Sequence, residues 1–235
     1  MPLPVSPHIP STNPTPRFRT VVFDCDSTLS TIEGVDELAV EHRASIAALT
    51  QRAMRGEVSL ESVYGARLDL IRPDRTALAA LALAYIATAI PDARATIRAL
   101  QAGGVAVHIL SGGFRQAIVP FAKWLGLSDA DVRAVDLHFD TAGQFTGFDT
   151  DSPLTRSGGK RTMIETWQPA LLRPILLVGD GITDWEARPA VDHFTAFAGV
   201  TERPEVTAGA DTVLRTLALG PLLDLVFPPT PTLNA

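Results

Sequence analysis

Residues Arg19 to Thr28 read RTVVFDCDST. The first half is a short β-branched and aromatic run, and it stops abruptly in polar residues. An unbroken apolar run of this length is the pattern of a strand buried on both faces, as in the middle of a parallel sheet. Its end would deliver Asp24, Asp26, Ser27 and Thr28 to the carboxyl edge of that sheet. Cys25, between the two aspartates, is expected on the opposite face as a small buried side chain.

Two later segments repeat this form. Val105 to Leu110 (VAVHIL) ends in Ser111-Gly112-Gly113, and Pro174 to Val178 (PILLV) ends in Gly179-Asp180-Gly181. His193 to Ala198 is expected as a fourth strand. Helices are expected between them: Asp92 to Ala102, closed by Gly103-Gly104, then Phe114 to Leu125 and Lys160 to Trp167. Leu137–Phe139 and Gln144–Phe148 flank Asp140–Gly143 and predict a hairpin. Strands alternating with helices predict an α/β fold with a parallel sheet, in which ligands bind beyond the carboxyl ends of the strands. Asp24 and Asp26, Ser111 and Gly112, and Asp180 and Asp184 are therefore expected to meet at one place.

From about Thr31 to Ile90 the periodicity is helical. Leu38, His42, Ile46 and Leu49 fall on one face, and Leu68 and Ile71 belong to a helix ending before Pro73. Ala77 to Ile90 is apolar but alanine-rich, too short to span a bilayer, and reads as a soluble helix. The expected organisation is a proline-rich tail over 1–17, a catalytic core from 18–30 and 92–226, a helical insert over 31–91, and a second tail over 227–235. The first tail lacks both a basic region and an apolar run, so no targeting segment is expected.

Composition narrows the function. The chain has 235 residues, 46% hydrophobic and 20% charged, with a formal net charge of −6. That balance is ordinary for a soluble protein, and the length allows one sizeable core, or a core plus a small insert. A net-acidic chain without a Lys/Arg cluster is a poor partner for nucleic acid or an anionic membrane. The single cysteine excludes an intrachain disulfide and suits the cytoplasm.

Carboxylates gathered at one sheet edge repel one another, and a hard cation resolves the repulsion. Oxygen donors without histidine favour Mg2+, with Asp24 and Asp180 as direct ligands, Asp26 through its backbone carbonyl, and Asp184 as a direct or supporting ligand. Phosphoryl transfer needs a nucleophile, neutralised charge and a proton for the leaving oxygen. Asp24 can attack phosphorus. Asp26 can protonate the departing alcohol and then deprotonate water. Ser111 and the amides of Gly112 and Gly113 can bind phosphate oxygens. Lys160, after Ser157-Gly158-Gly159, can bring a positive charge to the nucleophile and phosphate. Each of these signals taken alone is commonly a turn or a solvated charge. Their joint occurrence, most of them at strand ends, carries the weight.

The four segments DCDST (Asp24–Thr28), SGGF (Ser111–Phe114), Lys160 and GDGITD (Gly179–Asp184) resemble, in order and spacing, the motifs of the haloacid dehalogenase superfamily. Its phosphoserine phosphatase branch is the most similar. The resemblance implies a Rossmann-like core, a small inserted helical cap and a magnesium cofactor. It also implies hydrolysis of O-phospho-L-serine through an aspartyl-phosphate. Asp26 stands where family ATPases and dehalogenases lack an aspartate. By the same resemblance Glu33 would pair with the substrate ammonium and Arg67 with its carboxylate. Met54 would make an apolar substrate contact, and Thr183 would join Ser111, Gly112, Gly113 and Lys160 around the phosphate. Arg55 and Leu60 depart from the family pattern, which usually has glycine and an aromatic there. The other readings are action on a different small phosphomonoester, phosphotransfer to an alcohol, and a non-catalytic phospholigand-binding domain. No partner beyond the small-molecule substrate is expected, and the chain is expected as a monomer or homodimer.

Overall fold

The computed structural model describes residues 15–39, 41–42, 44–46, 48–49, 60–167 and 171–228. Met54 and Arg55 lie outside these residues, as do the side chain of Leu60 and the proline-rich ends up to Pro14 and from Pro229.

Strand β1 (Thr20–Phe23) is buried along its whole length. Its side chains alternate between two cores, as a pleated strand requires. Val21 and Phe23 join one hydrophobic cluster and Val22 the other. Complete burial of such a side chain stabilises by about 1.5–3 kcal/mol. β1 pairs in parallel with β2 (Ala106–Phe114) on one side and with β6 (Ile175–Gly179) on the other. With β3 (Val132–Val135), β7 (His193–Phe197) and β8 (Thr212–Leu214) they form a six-stranded parallel sheet in the order β3-β2-β1-β6-β7-β8. The chain builds outward from β1 in one direction and then, from β6, in the other. The crevice beyond the carboxyl ends of β2, β1 and β6 is thus the topological switch point, where open α/β sheets bind ligands.

The alternation of elements therefore gives the expected α/β fold, with two short strands that the sequence pattern did not announce. β3 and β8 have 4 and 3 residues, and only the ends of β3 are buried. Runs this short carry no readable periodicity. The hairpin is present as β4 (Leu137–Phe139) and β5 (Phe145–Phe148), antiparallel. Its turn is closed by Asp140 Oδ1, which accepts from the backbone N–H of Ala142 and Gln144 at 2.9 and 2.8 Å.

In the segment between β1 and β2, helix α1 (Gly34–Leu38) ends before the chain turns at Ala39 and at Glu41–His42. Leu38 and His42 thus do not share one continuous helical face, contrary to the sequence periodicity. Helix α2 (Leu60–Ile71) stops two residues before Pro73, as expected. Helix α3 (Arg75–Ala87) is capped by Asp74, whose side chain accepts from Ala77 N–H at 2.7 Å, a contact worth about 1 kcal/mol. It buries Leu78, Leu81, Ala82 and Tyr85 at the i, i+3, i+4, i+7 spacing. The partner is α5 (Arg115–Leu125), where Phe121 stacks on Tyr85 at 5.7 Å between ring centroids. Helix α4 (Ala93–Ala102) covers the same core as α3 and α5, and α6 (Gly159–Trp167) packs against the other. Short helices α7 (Ile182–Glu186), α8 (Pro204–Ala208) and α9 (Pro221–Val226) complete the chain. Among the described residues no helix is long and apolar enough to cross a membrane.

Candidate active site

β1 ends at Phe23, and the next residue's N–H, that of Asp24, still donates to Val178 O on β6 at 2.9 Å. The sheet thus fixes Asp24 directly. The chain then turns sharply at Ser27, which has a positive φ of 49°. A non-glycine residue in this region costs about 1–3 kcal/mol and persists where surrounding contacts enforce it. Here Ser27 N–H donates to Ile32 O at 3.2 Å and its hydroxyl to Glu33 Oε1 at 2.6 Å. The turn brings Asp24, Asp26 and Glu33 into one cavity.

That cavity, about 270 Å3, lies beyond the strand ends. Ser111, Gly112 and Gly113 line it from the end of β2, where the pairing with β3 shifts register between Leu110 and Phe114. Asp180 and Gly181 line it from the end of β6, with Thr183 on α7 and Lys160 on α6. Glu33, Tyr64 and Arg67 line it from the segment between β1 and β2. Asp184 is fully buried beneath the floor, and its side chain packs over Gly179, where even a Cβ would come within 2.2 Å of its carboxyl carbon. Of the residues singled out in the sequence, the structure brings all of these together. Met54 and Arg55 lie outside the described residues, as does the side chain of Leu60.

Lys160 is almost fully buried and bridges two carboxylates, Asp24 Oδ1 at 2.8 Å and Asp184 Oδ1 at 2.7 Å. Burial alone would disfavour its charge, but Asp184 and Asp24 outweigh that and hold its pKa above the ordinary lysine value. The loop before it is gripped by Glu186, which accepts from Ser157 Oγ at 2.9 Å and Gly158 N–H at 2.8 Å. Asp24 Oδ1 also accepts from Cys25 N–H at 2.8 Å, so two donors hold that oxygen, and the residue lines the cavity. Asp26 Oδ1 accepts from Gly34 N–H at 2.8 Å and from Tyr85 Oη at 2.7 Å. Desolvation, then Asp24, raises the Asp26 carboxyl to about 6, which brings its titration closer to neutral pH than that of an ordinary aspartate.

Asp24, Asp180 and Asp184 offer oxygens within 4.8 Å of one another. Burial, then Asp24, pushes Asp180 up to about 6 and Asp184 well above the usual carboxylate range. In both, loss of water is the larger cause and the neighbouring Asp24 charge adds to it, against the opposing pull of Arg203 on Asp180 and of Lys160 on Asp184. Oxygen-only donors with excess negative charge suit a hard divalent cation. The cluster therefore has the chemistry to hold a metal ion.

Three residues at the site escaped the sequence reading. Arg203 donates to Asp180 Oδ2 through Nε at 3.1 Å and through a terminal nitrogen at 3.0 Å, and reaches Glu33 at 3.6 Å. Tyr64 donates to Gly112 O at 3.0 Å, tying α2 to the end of β2. Tyr85 contacts Asp26 from a fully buried position on α3. None belongs to a local motif, so no spacing signal marked them. On the helical wall, desolvation, then Asp26, raises Glu33 to about 7, and burial lowers the pKa of Arg67.

Comparison with known proteins matches this geometry. The sequence model of haloacid dehalogenase-like hydrolases fits residues 18–192. The chloroplastic phosphoserine phosphatase of Arabidopsis thaliana is 38% identical over 196 residues, 81% of this chain and 66% of that protein. The phosphoserine phosphatase of Homo sapiens is 36% identical over 81% of this chain and 86% of its own length. A solved structure of a phospho-aspartyl intermediate analogue of phosphoserine phosphatase superposes with a TM-score of 0.70 at 25% identity, covering 88% of this chain and 98% of that one. The motif order, the sheet and the clustered aspartates agree with these likenesses: the chain belongs to the haloacid dehalogenase-like hydrolases.

Proposed function

We propose that this protein hydrolyses O-phospho-L-serine to L-serine and inorganic phosphate through an aspartyl-phosphate on Asp24. The observation that carries the chemistry is the buried Asp24–Lys160–Asp184 bridge with Asp26 beside it. Lys160 and Cys25 N–H hold Asp24 Oδ1, which leaves Oδ2 as the attacking oxygen. Oδ2 forms a bond to phosphorus as the ester P–O bond breaks, and the departing serine oxygen takes the proton of Asp26. Water then attacks phosphorus and gives a proton to Asp26, and the bond to Asp24 breaks. The two steps restore both carboxyl groups to their starting states. Ser111, Gly112, Gly113, Lys160 and Thr183 surround the phosphate in this reading.

Bound magnesium would supply charge neutralisation for the attacking carboxylate and the phosphoryl oxygens. Asp24, Asp180 and the backbone carbonyl of Asp26 would hold it, with Asp184 behind them. Residues 18–30 and 92–226 act as the catalytic core and 31–91 as a cap over it. The substrate assignment rests on Glu33 and Arg67, which line the same cavity as the aspartates and offer opposite charges to an ammonium and a carboxylate. The names of the relatives point the same way. The single cysteine, which is fully buried, suits a reducing cytoplasm.

The test is a panel of phosphomonoesters assayed with magnesium. O-phosphoserine is expected to exceed sugar phosphates by at least about tenfold in kcat/KM, the scale of one charge-paired contact. Equal rates would remove the substrate assignment and leave the chemistry. Asp24→Asn is expected to abolish both turnover and covalent labelling by phosphate, and normal turnover by that variant would overturn the nucleophile.

A further inference from the structure

A carboxyl group turns easily about its last torsion, so its two oxygens are ordinarily interchangeable. Asp26 is an exception. Both of its protein donors, Gly34 N–H at 2.8 Å and Tyr85 Oη at 2.7 Å, converge on Oδ1. Oδ2 instead lies toward Gly113, 3.0 Å from the point that a Cβ on that residue would occupy. Gly113 belongs to the loop that faces the cavity at the end of β2. The carboxyl is thus pinned by one oxygen, and the other lies beside the Ser111–Gly113 loop that lines the cavity.

Tyr85 is built for that contact. It is fully buried on α3 and its ring stacks on Phe121, at an interplanar angle of 15°. Its hydroxyl passes close beneath Gly34: a Cβ there would stand 2.1 Å from the phenolic oxygen. Only glycine at position 34 lets the hydroxyl and the Gly34 N–H reach the same oxygen of Asp26. A tyrosine placed merely to fill the core would need some partner for its hydroxyl. It would not need the carboxyl beside Asp24, nor a glycine relieved of its side chain to reach it.

We propose that Tyr85 is a positioning residue that, with the Gly34 N–H, locks the Asp26 carboxyl so that Oδ2 serves the leaving oxygen of the substrate. This rests on the acid/base role of Asp26 proposed above. With the lock released, the carboxyl rotates and its proton is less often aimed at the departing oxygen. The cost falls on substrates that need that proton. A serine ester, whose leaving group is an alkoxide, needs it. 4-Nitrophenyl phosphate, whose leaving group departs as a stable phenolate, does not.

The experiment measures kcat/KM for O-phosphoserine and for 4-nitrophenyl phosphate in wild type, Tyr85→Phe, Gly34→Ala and Asp26→Asn, with thermal melting as a check on folding. Tyr85→Phe is expected to lower kcat/KM for O-phosphoserine about tenfold, and that for 4-nitrophenyl phosphate less than about twofold. Gly34→Ala, which displaces the hydroxyl from the other side, is expected to give the same split. A purely structural role would lower both substrates together in proportion to folded enzyme, and that result, or no loss at all, would overturn the proposal. Asp26→Asn separates the two levels. It is expected to lose at least about 100-fold on O-phosphoserine. If it does and Tyr85→Phe shows no split, the positioning role alone falls. If Asp26→Asn keeps normal activity, the acid/base reading beneath it falls.

Discussion

The two walls of the cavity are built differently. The wall at the strand ends is buried and tightly bonded: Asp24, Lys160 and Asp184 are joined at 2.7–2.8 Å, and side-chain exposures there do not exceed 10%. The helical wall is looser. Glu33 meets Arg203 at 3.6 Å with side-chain exposures of 44% and 41%, and Arg67 is only half-buried. Under the proposed function the difference separates two tasks. Groups that act on a developing charge gain from a fixed, dry setting, because reorganisation during reaction is costly. Groups that select a small zwitterion need only meet it on entry, and a more open wall lets it enter and leave.

Breaking the tight wall is expected to produce the largest effect. Lys160→Ala leaves Asp24 and Asp184 as buried carboxylates without their shared cation. Its kcat is expected to fall by about 1,000-fold. Its stability is expected to fall by about 3 kcal/mol, read from urea unfolding. A variant that stays as stable as wild type would show that the bridge is not structurally important.

Breaking the open wall should separate selection from chemistry. Arg67→Ala is expected to lower kcat/KM for O-phosphoserine about 30-fold, the scale of a lost charge-assisted pair. Hydrolysis of 4-nitrophenyl phosphate, which has neither carboxylate nor ammonium, should change less than about twofold by the same reasoning. An equal loss on both esters would mean that Arg67 serves the phosphate and not the serine end.

The smallest expected effect sharpens the same contrast through pH. Glu33 is raised to about 7 by desolvation, then by Asp26. Its carboxylate form, the one that can pair with an ammonium, therefore predominates above that pH and is lost as pH falls through it. The preference for O-phosphoserine over 4-nitrophenyl phosphate, as a ratio of kcat/KM values, is expected to fall by at most about tenfold from pH 8 to pH 6. In Glu33→Gln the ratio should be low and flat. A steep ratio in that variant would place the titration elsewhere.

How far the sequence was readable follows the same division. β1 and β6 could be read because each is a continuous apolar run buried along its whole length, and β2 and β7 because most of their residues are buried and most are apolar or aromatic. Asp24 and Asp180, just beyond β1 and β6, and Ser111, among the last residues of β2, then fall at one edge by topology alone. β3 and β8 were too short to show a pattern. Tyr85 was hidden in an alanine-rich stretch whose hydropathy has little periodicity, although its burial at 78, 81, 82 and 85 is regular. Arg203 lies 23 residues beyond Asp180 and reaches it only because the chain returns through β7.

By itself, then, RTVVFDCDST with its companion motifs determined the sheet, the edge at which carboxylates gather and the class of chemistry. Those features depend on local periodicity and on the fixed geometry of parallel strands. Only the tertiary structure decided which oxygen of Asp24 and of Asp26 is held, and which distant segments bring Tyr85, Tyr64 and Arg203 to the site. Those choices depend on contacts between residues far apart in the chain, and hydrogen-bond direction and close packing set them, not sequence spacing.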